Sequence, residues 1–111
     1  MAAPIQFFDA LTAVPGLRHG FLQRVPGVDV ATLDKPEALR RLQVHHDESR
    51  AELGMSDWPL VSGEQVHRAD VVAVTAENLA EVSGKPVPEV DGFVTNLENV
   101  ALAIYVADCG A

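Results

Sequence analysis

Of the 111 residues, 48% are hydrophobic, enough to bury a modest core and too many for a disordered chain. Sixteen acidic residues against eight Lys and Arg give a net charge of −8 with no basic cluster beyond Arg40-Arg41, which argues against nucleic acid as a partner. One cysteine excludes an internal disulfide. The opening residues lack a secretory signal and the longest apolar run, 100–107, is far short of the ~20 residues of a spanning helix, so a single cytoplasmic domain without membrane contact is expected.

In chain order, residues 5–8 read as a short extended piece closed by the Val14-Pro15-Gly16 turn, and residues 17–24 as a second one running into Pro26-Gly27. From Pro36 to Leu53 neither Gly nor a second Pro intervenes. Leu39, Leu42, His46 and Leu53 share one helical stripe, Pro36 suits the first turn and Gly54 the stop, which predicts a helix over 36–53. Residues 60–63 and 70–75 are β-branched and short, predicting two strands, and Gly84, Pro86 and Pro88 mark a loop.

Residues 92–95 and 100–107 predict two more strands, and the four residues between them suggest an antiparallel hairpin. The nearly all-apolar 100–107 run suggests a strand buried on both faces, whose uncovered edge invites self-association. The expected class is α+β, with a mixed, largely antiparallel sheet and one main helix.

Chemistry concentrates where apolar runs end. The run at 100–107 delivers Asp108-Cys109, and an earlier one delivers Gln65-Val66-His67, a thiol and an imidazole at strand exits. Taken singly, Cys109 reads as a small core thiol and His67 as a solvated loop histidine. His45 and His46 are neighbours on the predicted helix, about 100° apart, so they cannot clamp an ion from one face, and one is expected at the surface with the other half-buried. His19 follows a turn and can line a cleft. Arg24, just before Pro26-Gly27, can receive a phosphate or carboxylate or pair with an acid. No Gly-rich phosphate loop and no Ser elbow are present.

In order, His19-Gly20-Phe21 with Arg24, Glu64-Gln65-Val66-His67, Val90-Asp91-Gly92-Phe93-Val94-Thr95 and Ala107-Asp108-Cys109 form a series that resembles the YfiH-like family, long labelled multicopper polyphenol oxidoreductases or laccase-domain proteins. The resemblance implies a zinc-dependent purine nucleoside phosphorylase with adenosine deaminase activity, acting on a purine nucleoside and phosphate. It also implies zinc held by His67, Cys109 and a further histidine in a His-Ala-Gly-Trp-Arg-Gly motif. That motif has no counterpart here, so the sequence is expected to be the amino-terminal portion of a larger family fold. Before Arg24 the family has Ser-Thr where this chain has Leu22-Gln23, and after it paired glycines where this chain has Val25-Pro26-Gly27.

Within the same resemblance, Arg24 and His19 are the residues for anion or substrate contact, and Asp108 for orienting a neighbour. Thiolate with imidazole and an open position suits zinc, which brings the pKa of bound water to about 7. Copper is the alternative metal, but four histidines, two of them adjacent, cannot supply several copper ions. Two readings stay open beside the zinc enzyme: a Cys109-His67 thiol hydrolase, and an inactive truncated binding module.

Overall fold

In the computed structural model, which describes residues 1–31, 34–66 and 68–105, the elements run β1 (Ile5–Gln6), α1 (Asp9–Thr12), β2 (Phe21–Leu22), α2 (Lys35–Glu52), β3 (Leu60–Ser62), β4 (Val71–Val74), α3 (Leu79–Val82), β5 (Gly92–Thr95) and β6 (Ala101–Ala103). The class is α+β, with α2 as the main helix. Among the described residues no helix is long and apolar enough to cross a membrane. The chain divides into two compact units, Met1–Ser56 and Asp57–Ala111.

In the first unit α2 behaves as its sequence requires. Asp34 stands at the cap position in extended conformation, Pro36 sits in the first turn, and Gly54 takes φ +74° just past the last turn, where a side chain would be strained. Arg18 completes the stop: its Nη1 donates to the Leu53 and Gly54 carbonyls at 3.1 and 2.9 Å, placing a cation at the negative end of the helix. At the other end Glu37 pairs with Arg40 and Arg41, and the Arg40 guanidinium, followed by that of Arg41, holds its carboxylate down to about 2.

Leu39, Leu42, His46 and Leu53 are half-buried along one face, and the fully buried residue on it is Ser49. The Ser49 hydroxyl shares its one proton between the Ala3 carbonyl at 2.9 Å and the His45 carbonyl at 3.0 Å, fastening the chain's first residues to the helix. The expectation of one surface and one half-buried histidine is corrected, because both His45 and His46 are half-buried. His45 Nδ1 bonds the Met1 carbonyl, which draws that ring inward too. β1 and β2 form an antiparallel pair, Ile5 against Leu22 and Gln6 against Phe21.

The second unit contains two parallel pairs. β3 lies beside β6, with Val61 opposite Leu102, and β4 beside β5, with Val72 opposite Phe93. Val61, at 0% exposure, and Val74, at 1%, are the largest side chains fully enclosed there. The hairpin expected between 92–95 and 100–107 therefore does not form. The connection that carries α3 is long enough for a parallel crossover from β4 to β5. Thr95 then locks that choice, since its hydroxyl donates to the Val74 carbonyl at 2.8 Å and accepts the Leu97 N–H at 3.1 Å. β6 pairs instead from Ala101, whose N–H reaches the Pro59 carbonyl at 2.9 Å.

Burial of 100–107 on both faces is also corrected over the described part. Ala101 is buried, but Leu102 and Ile104 are 39% and 38% exposed, the alternation of a strand covered on one side. Positions 106 and 107 lie outside the described residues.

Candidate functional site

His19 and Arg24 stand at opposite ends of β2. His19 Nε2 accepts the Phe8 N–H at 2.9 Å, so the ring proton is assigned to Nδ1. Phe7 meets the imidazole edge-on with centroids 5.5 Å apart, and Phe8 stacks on it at 6.3 Å. The ring is thus half-buried and engaged in holding the turn that leads into α1, with only its Nδ1 side left for other work. Arg24 is exposed, and among the described residues its guanidinium has no ion pair. The segment it opens, residues 24–31, turns after buried Val25, whose carbonyl accepts the Val28 N–H at 3.3 Å, and is anchored by Arg41 Nη1 donating to the Asp29 carbonyl at 3.0 Å.

His67, Asp108 and Cys109 lie outside the described residues, but the chain leading to them does not. Because β3 and β6 are parallel, residues 63–66 and residues 104–105 leave the same end of one strand pair. After β3 the backbone is laced to residues 87–92. Val87 N–H donates to the Ser62 carbonyl at 2.8 Å, Glu64 N–H to Val87 at 2.8 Å, and Val90 N–H to Glu64 at 3.1 Å. Gly63 sits in this lacing with no room for a side chain: a Cβ there would lie 2.9 Å from the Val90 carbonyl oxygen and 3.2 Å from the Phe93 ring.

Asp91 extends the lacing across the next residues. Its Oδ1 accepts the Val66 N–H at 2.8 Å and its Oδ2 the Arg68 N–H at 2.9 Å, so one carboxylate spans the two amides that flank position 67. The main-chain N–H of Asp91 donates in turn to the Asp70 carbonyl at 2.8 Å, and the Arg68 guanidinium pairs with the Asp70 carboxylate at 3.1 Å. Sequence reasoning quoted Asp91 within a motif but gave it no role. A short carboxylate in a loop beside Gly92 is a frequent acceptor of nearby main-chain N–H groups, and that was the available signal.

Two sets of residues therefore emerge: His19 and Arg24 in the first unit, and the segments bearing His67 and Cys109 in the second. Among the described residues, no group of three or more His, Cys, Asp or Glu is arranged to hold a metal. A family model described as multi-copper polyphenol oxidoreductase laccase matches residues 18–111. No curated protein and no solved structure matches the chain.

Proposed function

We propose, since the chain belongs to the multi-copper polyphenol oxidoreductase laccase family, that it contributes to a zinc-dependent enzyme of purine nucleosides, with His67 and Cys109 as two of the metal's ligands. The observation that supports this reading best is the shared exit of β3 and β6, with the backbone next to position 67 held by Asp91. Parallel strands feed both donor-bearing segments from one end, the place where folds of this kind build sites.

The donor set fits zinc, which accepts thiolate and imidazole together. It fits a multicopper centre less well, because His19 Nε2 and His45 Nδ1 are already bonded to the main chain and only four histidines exist in all. His67 and Cys109 would hold zinc, which would supply Lewis acidity and a source of hydroxide at neutral pH.

The chain's own residues do the rest. Arg24, exposed and without an ion pair among the described residues, suits a phosphate oxygen pair bidentately, and His19 can donate from Nδ1. Asp108 is assigned to orienting a neighbour. In phosphorolysis a phosphate oxygen bonds to C1′ as the bond from C1′ to the base breaks, and the base leaves with a proton. In deamination water adds at C6 of adenine and ammonia departs.

Elemental analysis of the purified chain for zinc and copper, repeated on Cys109→Ser and combined with an adenosine-plus-phosphate assay, tests the reading. Near-stoichiometric zinc that disappears in the variant is expected. Copper in its place supports an oxidase, and activity that survives chelation supports the thiol hydrolase. Neither metal in the wild-type chain sinks the zinc reading for these residues.

A further inference from the structure

We infer that Asp91 is a positioning residue for His67, its carboxylate fixing the backbone that presents the imidazole. The inference rests on the reading of His67 as a metal ligand.

Three contacts carry it. The two carboxylate oxygens accept the Val66 and Arg68 N–H groups at 2.8 and 2.9 Å, and the Asp91 N–H donates to the Asp70 carbonyl at 2.8 Å. One residue therefore holds the chain before and after position 67, and again where the chain enters β4. The chemistry is specific to a carboxylate: both amides are donors, so the partner needs two acceptor oxygens a few ångströms apart. An asparagine has one, and its NH₂ group would face the second N–H donor to donor. Charge strengthens both bonds, since an ionised acceptor makes shorter and stronger hydrogen bonds than a neutral one.

The β4 and β5 ladder does not depend on this side chain. Its register begins at Val71 opposite Gly92, one residue beyond Asp91, and Thr95 ties the far end. Upstream, the main-chain bonds from Ser62 to Val90 hold the loop without it. Among the described residues the carboxylate's two bonds fall at Val66 and Arg68, on the peptide N–H groups to either side of position 67 and so next to the proposed ligand.

The test uses the full chain as wild type, Asp91→Asn, Asp91→Ala and His67→Ala, with residue-resolved amide exchange and titration with zinc ion alone. In Asp91→Ala the Val66 and Arg68 amides are expected to exchange about tenfold faster or more while β4 and β5 keep their protection. In Asp91→Asn only one of the two is expected to accelerate. Zinc affinity is expected to fall about tenfold to a hundredfold in Asp91→Ala and less in Asp91→Asn.

Unchanged exchange at Val66 and Arg68 overturns the clasp, whether or not zinc binds. Faster exchange with undiminished zinc affinity overturns the positioning role. Zinc absent from the wild type, or retained in His67→Ala, removes the metal reading and the positioning role with it, while the exchange data still show whether the clasp exists. Should Asp91→Ala fail to fold, the isosteric Asp91→Asn decides through its pattern of one loosened amide.

Discussion

In the first unit, side chains of α2 or side chains reaching its end secure the irregular segments: Ser49 holds Ala3, Arg41 holds Asp29, and Arg18 closes the last turn. In the second unit the segments are laced mainly by main-chain bonds, from Ser62 through Val87 and Glu64 to Val90, with the Asp91 and Thr95 side chains at the two ends of β5. The difference bears on how each region fails. A side-chain tether is lost with one functional group, whereas a main-chain lacing is disturbed chiefly by putting atoms where two backbones already touch.

The unit with the lacing is also the one that carries His67 and Cys109, and the metal site proposed for them would benefit from a backbone that does not adapt. The unit with the tethers carries His19 and Arg24, the residues proposed to contact a substrate.

The comparison breaks most readily at Gly63. Gly63→Ala puts a methyl against the Val90 carbonyl, which cannot swing aside as a side-chain end would. A loss of up to about 3 kcal/mol is expected. Trp58, the chain's one tryptophan, lies in this unit, so its fluorescence follows the effect on denaturant unfolding. A midpoint equal to wild type would mean that the lacing yields more easily than its geometry says.

Ser49→Ala comes next, at about 1–2 kcal/mol, because it removes a buried hydroxyl that serves two carbonyls. Far-UV circular dichroism of α2 reports this loss. Release of the Ala3 amide to exchange, with α2 intact, would sharpen the contrast between a tether and a lacing. An equal shift in the fluorescence of Trp58 would blur it.

The smallest effect concerns pH. Burial pushes His46 below the usual histidine value of about 6.5, against the opposing pull of Asp47. Between that lowered value and the usual one, the unfolded chain binds more protons than the folded one, so stability falls as the pH drops through this range. The slope should appear in helix-monitored unfolding and flatten in His46→Gln. A wild-type slope that persists in the variant assigns the effect to another group.

Much of α2 was legible in the sequence because its determinants are local: Pro36 in the first turn, a stripe at Leu39, Leu42, His46 and Leu53, and Gly54 beyond the end. The helix expected at 36–53 appears as Lys35–Glu52, and the strand expected at 92–95 as Gly92–Thr95. The shorter helices α1 and α3, four residues each, left no periodic trace. Strand partners were less legible than strands. Five residues between β5 and β6 permit a hairpin, and the distant β4, through its parallel ladder and the Val74 carbonyl met by the Thr95 hydroxyl, is the neighbour β5 takes instead. Of the candidate site, residue types and their order were readable, and they led to the family. Asp91 was not, because the two amides it holds lie more than twenty residues earlier in the chain.

The sequence by itself determined the α+β class, the main helix with its stop, and membership of the family, since each depends on residues close together or on motifs read in order. The tertiary structure decided that β3 runs parallel to β6 and β4 to β5, that Ser49 rather than a leucine is the most deeply buried residue of α2, and that one carboxylate spans the amides at 66 and 68. These depend on which unpaired N–H and C=O groups meet after the chain has folded back, and neither spacing nor composition encodes that meeting directly.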